Sequence, residues 1–262
     1  MSLAFAAVLF VLGAGGAFVS GLVGVGGALV MIPLLLYVPP LLGVGALDIK
    51  SVAAITMVQV FVAAVSGMIA HGRHGGVNRR LALVGGAAMA TGSLAGAVTS
   101  KYVPERWLLV VFAAMVTIAF ALMFVPEPPP DVTTAPAEVK EYSATLTSLT
   151  AGVVGIAAGL VGAGGAFLLV PLLLVVVGVP LRVTIGSSLA ITAVAATAGA
   201  LGKAVTGQIP VPTALVVAVG ALPGAQLGAA ASRRLSGVAL KRALLIVIVL
   251  TGLKIWWHVL FG

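Results

Sequence analysis

Cysteine is absent from this 262-residue chain. Its absence excludes disulfides, thiolate metal sites and cysteine nucleophiles, and leaves the redox compartment unread. Charge is almost as scarce: 8% of residues are charged, against about 25% in a soluble globular domain. The six acids, Asp48, Glu105, Glu127, Asp131, Glu138 and Glu141, all fall outside the apolar runs. A transporter that binds cations within a membrane usually needs an intramembrane carboxylate, so this census argues for an anionic cargo. No GKS/T follows the glycines of a P-loop and no Rossmann strand precedes them. His71, His74 and His258 have no third ligand or acidic partner nearby in sequence, so no metal site is expected. With no nucleophile or metal constellation, the chain reads as a non-enzyme without cofactor.

What the chain does have is apolar length. Hydrophobic residues make up 61% of it, and the windows Val52 to Ala70, Leu81 to Val98 and Trp107 to Val125 carry no charge. Each is close to the roughly 20 residues that cross a bilayer core. The fold class is therefore an all-α polytopic integral membrane protein, because helices satisfy every backbone group within lipid. The alternating ten-residue segments of a membrane barrel are missing. A net charge of +8, spread over short loops, reads as membrane topology rather than a nucleic-acid surface. The N-terminus lacks the basic region of a cleavable signal peptide, and the first helix is expected to be retained.

The chain is also written twice. Residues 21–36, GLVGVGGALVMIPLLL, return at 159–174 as GLVGAGGAFLLVPLLL, with eleven identities in sixteen positions. Ala54-Ile55-Thr56 returns as Ala190-Ile191-Thr192, and the spacing of Ala88, Gly92, Gly96 and Ser100 returns in Gly220, Gly224, Gly228 and Ser232. The expected organisation is a first transmembrane repeat over 1–125, a Pro-rich cytoplasmic linker over 126–143 and a second repeat over 144–262. Each repeat opens on a glycine-interrupted segment (3–38 and 145–179), followed by three ordinary spans.

As one straight helix such a segment, about 35 residues, would be roughly 52 Å long, far beyond a hydrocarbon core of about 30 Å. It must bend or turn back. A re-entrant pair gives five helical pieces per repeat and inverts the second repeat, whereas a single crossing gives four and keeps the repeats parallel. Under inversion, Arg73, Arg79, Arg80, Lys140, Arg182, Arg233, Arg234, Lys241 and Arg242 share one side, against Lys50, Lys101, Arg106, Lys203 and Lys254 on the other. That is the stronger positive-inside bias, and it favours inverted repeats with the linker in the cytoplasm.

The glycine cluster followed by proline in both halves, the stretch HGRHGGVNRRLALVGGAAMATGSLAGAVTSKYVPERWL at 71–108 and its partner GALPGAQLGAAASRRLS at 220–236 resemble the TauE/SafE family of sulfite and organosulfonate exporters. The resemblance, within the toluene sulfonate uptake permease superfamily, covers nearly the whole chain. It implies a multi-pass protein of the bacterial inner (cytoplasmic) membrane that moves small sulfur-containing anions such as sulfite or sulfoacetate. Many members carry a third consecutive glycine where this chain has Ala28 and Ala166.

The residues themselves suggest how an anion is held. Gly24, Gly26, Gly27 and Gly162, Gly164, Gly165 either pack helices closely or break a helix so that freed amides face a midplane cavity, as in transporters built from repeats. A helix N-terminus suits an anion without a buried cation, and the duplication favours the cavity. Pro33 and Pro171 keep each segment from closing into a regular helix. A lone Ser or Thr within a span most often bonds to the preceding turn. Thr56 and Thr192 are repeat-equivalent, however, and Ser51 and Ser187 are in register with them. With Gln59 and Ser188 they complete the expected substrate-binding set. Lys50 and Lys203 read as lysines reaching for the interface. The four-residue ladders are packing seams that either join the halves or build a homodimer. The leading expectation is a secondary exporter working by alternating access, with an assembly protein lacking transport activity as the alternative. The partners expected are the lipid bilayer and a small anion, with no nucleic acid.

Overall fold

The computed structural model describes residues 1–23, 27–72, 78–125, 142–232 and 237–261. Among them, ten α-helices follow one another: α1 (Leu3–Val23), α2 (Ala28–Leu41), α3 (Ile49–Gly72), α4 (Arg79–Thr99), α5 (Glu105–Leu122), α6 (Ala144–Val161), α7 (Ala166–Leu172), α8 (Leu181–Val205), α9 (Val211–Ser232) and α10 (Gly237–Phe261). Residues 126–141, most of the expected linker, lie outside the described residues, as do Gly24 and Gly26. No strand occurs among the described residues, and seven of the helices are long and apolar enough to cross a membrane.

Local chemistry sets the helix ends. Asn78 caps α4 by accepting from the Leu81 amide at 3.0 Å, and Ser143 caps α6 by accepting from the Leu146 amide at 3.3 Å; such oxygens satisfy amides that no preceding turn can reach. Asp48 does the same for α3, its Oδ2 accepting from the Ser51 amide at 3.1 Å. Pro171 removes one backbone donor from α7, which passes into a π turn over Leu173–Val177 and stops at Gly178.

Both interrupted segments turn back, each giving a pair, α1–α2 and α6–α7. A β-carbon added at Gly27 would stand 2.7 Å from the Gly16 carbonyl oxygen. One added at Gly45, beyond the end of α2, would stand 3.2 Å from the Phe5 ring. Thus α2 runs back along α1 and leaves on the side where α1 began.

The halves interlock by exchange: α1 packs on α9 as α6 packs on α4, α3 packs on α9 as α8 packs on α4, and α2 meets α10 as α7 meets α5. The glycine ladders make the tightest of these seams. A β-carbon at Gly92 or Gly96 would strike the carbonyl oxygens of Gly152 or Ile156, and one at Gly220, Gly224 or Gly228 those of Phe10, Ala14 or Phe18. Without side chains at these positions the backbones come close enough for dispersion to act along the whole seam. The ladders therefore join the two halves within one chain.

These contacts also fix direction. Positions 10, 14 and 18 of α1 match 220, 224 and 228 of α9, and 92 and 96 of α4 match 152 and 156 of α6. Both pairs are parallel. Gly85 meets Ile191 and Gly202 meets Ala97, so α8 also runs with α4. Lys50 at the start of α3 donates to the Lys101 carbonyl just beyond α4, so α3 opposes α4. Phe5 lies by Gly45, close to where α3 begins, and Gly16 and Gln59 both border Gly27, so α1 runs with α3. Helices α1, α3 and α9 point one way and α4, α6 and α8 the other.

Candidate functional site: the two glycine breaks

Gly27 precedes α2 with φ of 70°, and Gly165 precedes α7 with φ of 73°. Glycine adopts these left-handed values without the steric cost a side chain would bring, and Gly162 and Gly164 adopt the same region at 77° and 62°. Each break is lined by α3. A β-carbon at Gly27 would come within 3.2 Å of Gln59 Nε2. One at Gly162 would strike the Ala53 carbonyl, and one at Gly164 the Val60 side chain, with the Thr192 methyl at 3.5 Å. Gln59 and Val60 are neighbours near the middle of α3, so the two breaks meet on either side of one helix. Thr56 is one turn before Val60 and three residues from Gln59, which puts it between them on the helix surface. Thr192 supplies the matching position near the middle of α8.

The polar groups here behave unlike others in the chain. Thr91, Thr99, Thr117, Thr197 and Thr206 each donate to a carbonyl of the preceding turn, the ordinary habit of a helical threonine. The hydroxyls of Thr56 and Thr192 and both amide atoms of Gln59 are buried without a hydrogen-bond partner among the described residues. All three side chains are fully buried. A buried unmade hydrogen bond costs about 1–3 kcal/mol, so each of these groups calls for a partner such as a bound water, ion or polar ligand.

The expected set is thus divided. Gly27 borders Gln59, and Gly164 borders Val60 and Thr192, with Thr56 between Gln59 and Val60 on α3. Gly162 instead faces the Ala53 carbonyl further down α3, and Gly165 faces Met89, Val154 and Ala158 of α4 and α6. Ser51 is in the first turn of α3 beside Asp48, and Ser187 is in the second turn of α8, accepting from the Asn78 amide at 3.0 Å. Because α3 and α8 run oppositely, these repeat-equivalent serines stand at opposite ends of the bundle, away from the centre. Ser188 is fully buried in the turn that carries Ser187. Two further unpartnered buried hydroxyls, Ser93 on α4 and Thr147 on α6, were not singled out in the sequence. Ser93 and Met57 both border Gly199, and Ala225 stands at the position of the second half that matches Ser93, so no repeat signal marked it.

Lys203 departs most from expectation. In place of reaching the interface its side chain is wholly buried, with Nζ 2.8 Å from Ser100 Oγ. At the same end of the bundle, burial alone would push the Asp48 carboxyl up, yet hydrogen bonds from the Ser51 hydroxyl and nearby backbone amides bring it below its ordinary value.

A helical bundle with seven helices long and apolar enough to cross a membrane and two glycine-broken helix pairs is the architecture of a multi-pass membrane protein. The family described as Sulfite exporter TauE/SafE matches residues 9–255, and the chain belongs to that family. It is similar to the probable membrane transporter protein YunE of Bacillus subtilis (strain 168), at 26% identity over 97% of this chain and 98% of that protein. No solved structure matches.

Proposed function

We propose that the protein is a secondary transporter of the bacterial inner membrane that exports a small sulfur-containing anion, sulfite, sulfoacetate or another organosulfonate. The observation that carries this is the set of unpartnered buried groups, Thr56, Gln59 and Thr192, gathered about two glycine breaks. Hydroxyl and amide donors replace the water shell of a sulfonate or sulfite oxygen without a fixed charge in the membrane. The amides that open α2 add positive dipole at the same depth. Among the described residues the two acids, Asp48 and Glu105, stand at helix starts, so the centre carries no carboxylate to repel an anion.

The two halves act as inverted repeats, a reading supported by the opposite directions of α1 and α6. Alternating access is the rocking of one repeat's helices against the other's about the centre. The test is anion flux from proteoliposomes. Gly164→Leu drives a side chain into Val60 and abolishes sulfite flux, while Thr56→Val lowers it at least tenfold with insertion intact. Normal flux in a Gly164→Leu, Thr56→Val double variant would exclude the central site.

A further inference from the structure

Three lysines converge where α3 begins and α4 and α8 end. Lys203 is fully buried, its Nζ 2.8 Å from Ser100 Oγ and 3.5 Å from Gln208 Oε1. Lys50 Nζ donates to the Lys101 carbonyl at 2.9 Å, and Lys101 Nζ donates to the Thr206 carbonyl at 3.2 Å. Lys50 is also near enough to Lys203 for the two charges to repel. None of the three forms an ion pair among the described residues, and the nearest described acid in sequence, Asp48, is occupied by the Ser51 amide.

Lysines at helix ends ordinarily cap carbonyls while their charge stays in water, and Lys50 and Lys101 do so. Lys203 does not. It is enclosed with only a hydroxyl and a neutral amide, although buried charges are retained where they are paired. The Gln208 amide is aimed at it, because its Nε2 is committed to the Ala97 carbonyl at 3.0 Å and Thr206 Oγ1 at 2.7 Å. Three ammonium groups, from α3, α8 and the turn beyond the α4 C-terminus, one of them buried against neutral acceptors, have no paired negative charge among the described residues.

We propose that Lys203, Lys50 and Lys101 form a second oxyanion site at this end of the bundle, separate from the glycine breaks. It takes a small free oxyanion of the sulfite or sulfonate type and holds it at the mouth of the pathway. The proposal rests on the transport reading only in treating that anion as cargo. The first part of α3, from Lys50 to Gln59, nine residues or about 14 Å at 1.5 Å per residue, separates it from the centre.

Calorimetric titration of the purified full chain in neutral detergent, with sulfite and methanesulfonate as probes at constant ionic strength, tests it. Two binding events are expected. Lys203→Met weakens one at least tenfold, and a Thr56→Val, Thr192→Val variant weakens the other. Should Lys203→Met fail to fold, Lys50→Gln with Lys101→Gln, which alters only half-buried and exposed side chains, is expected to weaken the same event at least tenfold. Wild-type titration by the folded lysine variants overturns the proposal. A lysine-sensitive event without a Thr56-sensitive one upholds this site and removes the central one, and the reverse removes this site alone. A final arm uses phosphatidylcholine nanodiscs: if added phosphatidylglycerol displaces sulfite from the lysine-sensitive event, the site is a lipid headgroup site and the proposal fails, whereas an unchanged titration upholds it.

Discussion

The threonines of this chain divide by what their hydroxyls do. Those that bond back to the preceding turn are satisfied whatever the protein is doing, whereas Thr56 and Thr192 are held in fully buried positions without that bond. Replacing either with valine removes an unmet donor and keeps the shape. Thr56→Val is therefore expected to hold or raise stability, by up to about 1 kcal/mol, while anion flux falls at least tenfold. Thermal unfolding and liposome flux measured on the same preparation check both halves of that statement, and a variant losing stability and flux together would mark Thr56 as structural. Asp48 gives a pH prediction. Its folded carboxyl titrates below its unfolded value, so the stability it adds is complete above about pH 4 and is lost as the pH falls through the lower folded value. Asp48→Ala should cost about 1 kcal/mol at pH 7. Between pH 7 and 3 its unfolding temperature should fall less than that of the unaltered protein.

At the scale of elements the decisive features are seams and breaks. The four-residue spacing of the glycine ladders was legible in the sequence as a packing face, because the spacing alone puts those residues on one side of a helix. The partner of that face was not legible, since a homodimer and a second half of the same chain need the same small residues. Contacts of α4 with α6 and of α9 with α1 decide it. Gly96→Ala or Gly224→Ala puts a methyl into a facing carbonyl and should cost about 1–3 kcal/mol. Gly15→Ala, where nothing lies within 4 Å, should be neutral or stabilising. Comparable losses at all three positions in a thermal unfolding series would remove the seam argument. That neither glycine segment is one straight span was legible too, from length against bilayer thickness, but that α2 turns back along α1 comes from the contacts of Gly27 and Gly45. The π turn after Pro171 was not legible, because it depends on how the chain repacks around one missing donor.

For the whole molecule, every principal contact of the first repeat is returned by the second with the roles exchanged. The proposed inversion makes a prediction that suits a chain free of cysteine, since single cysteines can be introduced without background. Helices α1 and α3 begin at the lysine end, while α6 begins at the other. In intact cells an impermeant maleimide should label Ser2→Cys directly and Ser143→Cys only after permeabilisation. Equal labelling of both from outside would refute the inverted arrangement.

By itself the sequence determined the material and the period: too few charges for a soluble domain, enough apolar length for membrane helices, a duplicated glycine break and an anion-friendly lack of intramembrane acid. These are properties of composition and local spacing, and they hold whatever the chain packs against. Tertiary structure alone decided which residues share a place. It set Gln59 and Val60 as the divide between the two breaks, sent Ser51 and Ser187 to opposite ends, and sealed Lys203 beside Ser100 and Gln208. The reason is physical: residues equivalent in two oppositely directed helices coincide only near the middle of the bundle, and charge at a helix end is buried or free according to neighbours about a hundred residues away.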